Sequence, residues 1–203
     1  MQNQLNNNQN TLVLVADFIN EIVDPKGAFG AHNAERIQED RTIEKANHVI
    51  KWARESGIEI AHVKVGFSDN YQECPKTSPM FGQAPNYGVL KLSSWGCEFH
   101  KDMDVRKEDY VVIKHRVSAL YATNLEPLLG AKKIERVVIC GVSTTYVVEA
   151  TARELHDRDY QVTIVEDACN AATKEGHDAS IEALSRFCEI TTADKIAAGK
   201  EKA

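Results

Sequence analysis

Residues 11–17, TLVLVAD, are apolar without interruption until the closing aspartate and rich in β-branched side chains, the composition of a strand buried on both faces. Residues 58–65, 110–114, 136–140 and 160–166 are similar short apolar runs, and 188–191 gives a shorter sixth strand. Between these runs the period changes. Residues 39–57 carry Ile43, Ala46, Val49, Ile50 and Ala53 at helical spacing and stop at Gly57. Helical patterns also cover 120–130, 143–158 and 174–187. Strands alternating with helices predict an α/β chain with a parallel sheet covered on both faces. One stretch breaks the rhythm. Residues 66–109 are long and hold Pro75, Pro79, Pro85, Gly82, Gly88, Trp95 and Gly96. Such segments in compact domains are usually binding loops or lids. No internal repeat or linker divides the chain, so residues 11–203 are expected to form a single domain.

Composition narrows the picture. A chain of 203 residues, 43% hydrophobic and 27% charged, can bury a core without a disulfide or metal staple. The net charge of −6 argues against a nucleic-acid partner. No apolar run approaches the roughly 18 residues that span a bilayer, and no Lys/Arg run marks a membrane-binding patch. The five cysteines (Cys74, Cys97, Cys140, Cys169 and Cys188) are odd in number and form no CxxC pair. They read as reduced core thiols and hence as a cytoplasmic protein. Residues 1–10, almost all Gln and Asn, lack the basic and apolar regions of a signal peptide and are expected to be a disordered tail.

Ligand sites of parallel α/β sheets lie at the carboxyl ends of the strands. Asp17 ends the first strand and Lys114 the third. The turn GVSTT at 141–145 follows the fourth and opens a helix, whose first amides and positive dipole end suit a developing oxyanion. A carboxylate and an ammonium converging there could exchange protons with a substrate. Each residue also has an ordinary reading: Asp17 as a helix cap, Lys114 as a snorkelling surface lysine, Gly141 as a turn glycine. A serine hydrolase is a rival, because Ser143, Asp167 and His177 follow in the order of a nucleophile-elbow enzyme. Thr145 stands where G-x-S-x-G requires its last glycine, and a helix N-cap is the plainer role for Ser143. Phe81, Tyr87, Trp95 and Phe99 suit either aromatic pocket walls or core packing.

Taken together, VADFINEIVDPKG at 15–27, KHRVSAL at 114–120, GVSTTYVVEATAR at 141–153 and DAC at 167–169 resemble the motifs of the isochorismatase-like hydrolase family. The resemblance runs from about residue 11 to residue 194. It implies a Rossmann-like, three-layer α/β/α fold with a six-stranded parallel sheet. It also implies an Asp–Lys–Cys triad, of which Asp17 and Lys114 match the first two members. The third position is Val147, which has no lone pair and cannot form a thioester. Cys97 is the alternative thiol in the long segment, while Cys140 and Cys169 read as core. Isochorismatases proper offer a precedent without a thiol: an acid protonates a vinyl ether and water attacks the oxocarbenium-like centre. On that pattern Asp17 is the general acid, Lys114 orients the acid or a substrate carboxylate, and Trp95, Glu98, Val142, Ser143 and Tyr146 bind substrate. The alternative is a non-catalytic pseudoenzyme that binds a small carboxylate. Nicotinamidase-like members hold a metal through Asp-x-His, but GFSDNY at 66–71 has Asp69 without a nearby histidine, and His62 and His100 lie elsewhere. No metal or other cofactor is therefore expected. The resemblance further implies a small-molecule substrate and a homo-oligomer, dimer or larger, with the apolar helix face at 147–155 as a candidate shared surface.

Overall fold

The structure, a computed structural model, describes residues 10–199. The expected tail lies outside the described residues except for Asn10, whose carbonyl accepts from the Glu135 and Arg136 amides. In chain order the elements are β1 (Thr11–Ala16), α1 (Asn20–Val23), α2 (Gly30–Glu39), α3 (Thr42–Glu55), β2 (Glu59–Val65), α4 (Ala84–Tyr87) and β3 (Tyr110–Lys114). They continue with α5 (Leu125–Ala131), β4 (Arg136–Val142), α6 (Glu149–His156), β5 (Gln161–Asn170), α7 (Lys174–Leu184), β6 (Glu189–Thr191) and α8 (Ala193–Ala197). The six strands form one sheet in the order β3-β2-β1-β4-β5-β6, with every neighbouring pair parallel. The expected α/β architecture is therefore present.

The central strands β1 and β4 are buried at every position, as their unbroken apolar runs require. Alternate residues of β1 feed opposite layers. Leu12 and Leu14 pack with Leu129 and Leu155 on one side, and Val13 and Val15 with Val49, Ile50 and Ile196 on the other. A third cluster organises the long segment between β2 and β3. Phe67 meets Phe81 edge-on at 5.7 Å, with Ile19 and Leu90 beside them.

Element boundaries shift where local chemistry overrides periodicity. The helix expected over 39–57 begins at Thr42, because Arg41 adopts a left-handed backbone. The helix expected over 143–158 opens as a π-helical turn, Thr144–Val148, before α6. β5 runs on to Asn170 through a register shift against β4. The helix expected over 120–130 starts only at Leu125, and the polar helix α2 was not anticipated. One expectation is corrected outright. The apolar face at 147–155 is no free surface, since Val147, Val148, Ala152 and Leu155 are consumed by the chain's own core. Among the described residues no helix is long and apolar enough to cross a membrane.

The strand order locates the crevice. From β1 the chain builds β2 and β3 to one side, then crosses back to add β4, β5 and β6 on the other. The switch point lies between β1 and β4, where a doubly wound sheet opens to ligands.

Candidate active site

Asp17 follows directly on β1 at this switch point. Its backbone is left-handed, φ 59°, a conformation more accessible to aspartate than to most residues. Its amide donates to the Val63 carbonyl of β2 at 2.9 Å, which fixes the turn. Lys114, the last residue of β3, reaches past β2. Its Nζ donates to Asp17 Oδ2 at 2.8 Å and to the Arg116 carbonyl at 3.1 Å. Both side chains are almost fully buried. The other carboxylate oxygen, Asp17 Oδ1, is buried and has no hydrogen-bond partner among the described residues. Burial pushes the Asp17 carboxyl up from its ordinary value and outweighs Lys114 and the Val65 backbone, which pull it down.

This pair lies at one wall of a cavity of about 470 Å³. Val142, Ser143, Tyr146 and Val147 contribute another wall, so six of the residues expected to act in catalysis or substrate binding meet here. They are brought close because Gly141 lets β4 touch β1: a Cβ at Gly141 would fall 2.8 Å from both the Ala16 carbonyl oxygen and its Cβ. Val147 sits on the π-helical turn, a local widening frequent at functional sites, and is 2% exposed. Trp95 and Glu98 do not line the cavity. Asn20 anchors their backbone through the Trp95 and Glu98 carbonyls, and both side chains are exposed to solvent. Of the candidate aromatic residues only Phe81 is a wall residue. Tyr87 is exposed, and Phe99 packs against His62 at 5.4 Å.

Several lining residues were not anticipated. Ile22, Phe29 and Asn33 come from α1, α2 and the turn between them; Ile22 lies inside the 15–27 motif without having been singled out, and Phe29 and Asn33 lie beyond it. Val65, the last residue of β2, could have been found by applying the strand-end rule to every strand. Leu90 joins the wall from the long segment with a left-handed backbone, φ 59°, costly for a leucine.

Other chemistries do not assemble among the described residues. All five thiols are free and buried, and none lines this cavity. Burial pushes Cys97 up to about 12 and Cys140 well above its ordinary value, the reverse of an activated nucleophile. Ser143 Oγ bonds Thr145 Oγ1 at 2.8 Å, whereas His177 Nδ1 bonds Thr144 Oγ1 at 2.8 Å. Asp167 accepts from the Ala193 amide. The serine, aspartate and histidine thus face separate partners. No group of three or more His, Cys, Asp or Glu among the described residues is arranged to hold a metal ion. His62 is committed to Asp109 at 3.2 Å, and Asp69 accepts from Ser93.

The sequence model of the isochorismatase domain matches residues 11–195. An uncharacterized isochorismatase family protein of Escherichia coli O157:H7 is 30% identical over 94% of this chain and 96% of its own. A ureidoacrylate amidohydrolase of Acinetobacter baylyi is 23% identical over 88% of this chain and 78% of its own. Among solved structures, a cysteine hydrolase from Pseudomonas syringae superposes with a TM-score of 0.84 at 19% identity, covering 98% of this chain and 93% of that one.

Proposed function

Since the chain belongs to the isochorismatase family, we propose that it hydrolyses a small molecule with Asp17 as general acid and with no cysteine nucleophile. The observation that carries this reading is the buried Asp17–Lys114 contact of 2.8 Å at the cavity wall, with Asp17 Oδ1 buried and without a hydrogen-bond partner among the described residues. A carboxyl group raised by burial retains a proton closer to neutrality, as a general acid needs. Val147, read as standing where the family's amidases carry their cysteine, offers hydrocarbon to the same cavity. No thiol among the lining residues supports an acyl-enzyme route.

A vinyl ether fits these parts. Asp17 delivers its proton to the terminal alkene carbon, and the neighbouring carbon becomes an oxocarbenium-like centre. Water adds to that centre and returns a proton to Asp17. The resulting hemiketal collapses to a carbonyl compound and an alcohol. Lys114 acts through Asp17: it occupies Oδ2, leaves Oδ1 to carry the proton, and balances the carboxylate left after proton transfer.

A second reading, a non-catalytic binder, is favoured by one specific observation. Lys114 and Asp17 already satisfy each other's charge, as a purely structural pair would. A screen of vinyl ethers against amides separates the two. We expect vinyl-ether turnover that declines as pH rises through the Asp17 titration, no covalent adduct by mass spectrometry, and a loss of about 10²–10⁴-fold in Asp17→Asn. Full activity in that variant, or an acyl adduct on any cysteine, overturns the acid-catalysed reading. Absence of turnover for every compound favours the binder. Cytoplasmic location and a homo-oligomeric state belong to the same proposal, the latter checked by light scattering.

A further inference from the structure

The cavity's walls carry information about its ligand. Ile22, Val65, Phe81, Leu90, Val117 and Val147 present hydrocarbon to its interior. Towards solvent, Phe29, Met80 and Tyr146 continue the apolar lining and are each more than a third exposed. Among the described residues, Asp17 and Lys114 are the only charged ones in the lining, and they are committed to each other. Lys114 Nζ spends a second donor on the Arg116 carbonyl. The remaining side-chain polar groups are the amide of Asn33, the hydroxyl of Ser143 and that of Tyr146. Among the described residues the lining includes no arginine, histidine or second lysine.

A carboxylate entering this space would lose its hydration and gain no cation of its own. A neutral molecule avoids that cost, and a single hydroxyl or ether oxygen on it can meet the Ser143 or Tyr146 hydroxyl while the rest is buried in hydrocarbon. We infer that this cavity selects a neutral, mostly hydrocarbon ligand with one oxygen-bearing head group, and rejects carboxylates. The inference rests on the cavity being the substrate site proposed above, and it narrows the substrate to uncharged ethers. It also removes the small-carboxylate ligand expected of a non-catalytic member.

Binding tests this without depending on turnover. The probes are benzyl alcohol and its 4-methyl, 4-ethyl and 4-butyl derivatives, set against the matching benzoates and followed by calorimetry with the full chain. We expect the alcohols to tighten by about fourfold per added methylene until the cavity is full. The benzoates should bind at least about a hundredfold more weakly. Two variants add a cation to the lining. Asn33→Arg acts at a half-buried position and Met80→Arg at an exposed one. Each should tighten the benzoates by tenfold or more without improving the alcohols. Alcohol binding in each variant verifies that its cavity is intact. Benzoates that bind the unaltered protein as well as the alcohols overturn the inference, as does failure of both series to bind. Alcohol selectivity upholds it even if no vinyl ether is hydrolysed, in which case only the hydrolase reading falls.

Discussion

Two buried carboxylates in this protein experience the same opposing forces and end in opposite states. Asp109 precedes β3 and faces Arg54 of α3, which donates to Oδ1 at 2.7 Å and to Oδ2 at 2.8 Å. The Arg106 amide adds a third donor to Oδ2 at 2.8 Å, with His62 Nε2 3.2 Å away. Asp104 completes the group through Arg54 Nε at 3.1 Å. Burial works to push Asp109 up, yet these donors hold it below its ordinary value. Asp17 has Lys114 on Oδ2, the Val65 backbone as a further pull downward and no hydrogen-bond partner on Oδ1 among the described residues, and there burial wins. The number of donors on the two oxygens, more than the presence of a counter-charge, separates a carboxylate held toward its ionised form from one held toward its protonated form.

The sharpest way to break this contrast is to remove one cation at a time. Arg54→Met strands a carboxylate that several donors had held ionised, and should cost about 3–5 kcal/mol in urea unfolding. A cost below about 1 kcal/mol would deny the network its anchoring role. Lys114→Met should cost less, about 1–3 kcal/mol, because Asp17 can take up a proton instead of remaining charged. That cost should shrink between pH 7 and pH 5. Replacing both, as Asp17→Asn with Lys114→Met, should return stability to within about 1 kcal/mol of the starting protein. A double variant as damaged as the single one would mean that the pair holds the fold rather than the chemistry.

The smallest effect is in the pH dependence. A raised folded-state value means that Asp17 contributes stability below the unfolded aspartate value, about 3.9, and loses it as pH climbs through the folded one. Asp109, held low, contributes above its unfolded value and loses that contribution as pH falls through the folded one. Stability of the unaltered protein relative to Asp17→Asn should therefore decline as pH rises above about 4. A difference that grows with pH would reverse the assignment of the poised group.

Much of the fold was readable from unbroken β-branched runs, because strands buried on both faces leave no room for polar alternation. β3 was located to the residue. The site was readable in part. Asp17 and Lys114 lie at strand ends, and Val142, Ser143, Tyr146 and Val147 lie in one motif. Trp95 and Glu98 misled because their place along a long loop does not reveal which way a side chain points. That direction is set here by hydrogen bonds to Asn20, 75 residues earlier for Trp95. Ile22, Phe29 and Asn33 escaped because their contribution arises from how α1 and α2 fold over the β1 end. The unpartnered oxygen of Asp17 was out of reach for a different reason. It depends on every neighbour's donors, and no single segment encodes it.

The left-handed backbone at Asp17 decides which knock-outs can be interpreted. Asparagine accepts that conformation almost as readily as aspartate, so exchanging one for the other removes the acid and leaves the turn intact. Alanine or glutamate would add a backbone penalty of about 1–2 kcal/mol at the very point where β1 meets the cavity. Lost activity in those replacements would blend a missing proton with a displaced chain. The asparagine exchange is therefore the informative control, and an alanine scan across this loop would overstate the importance of the side chain.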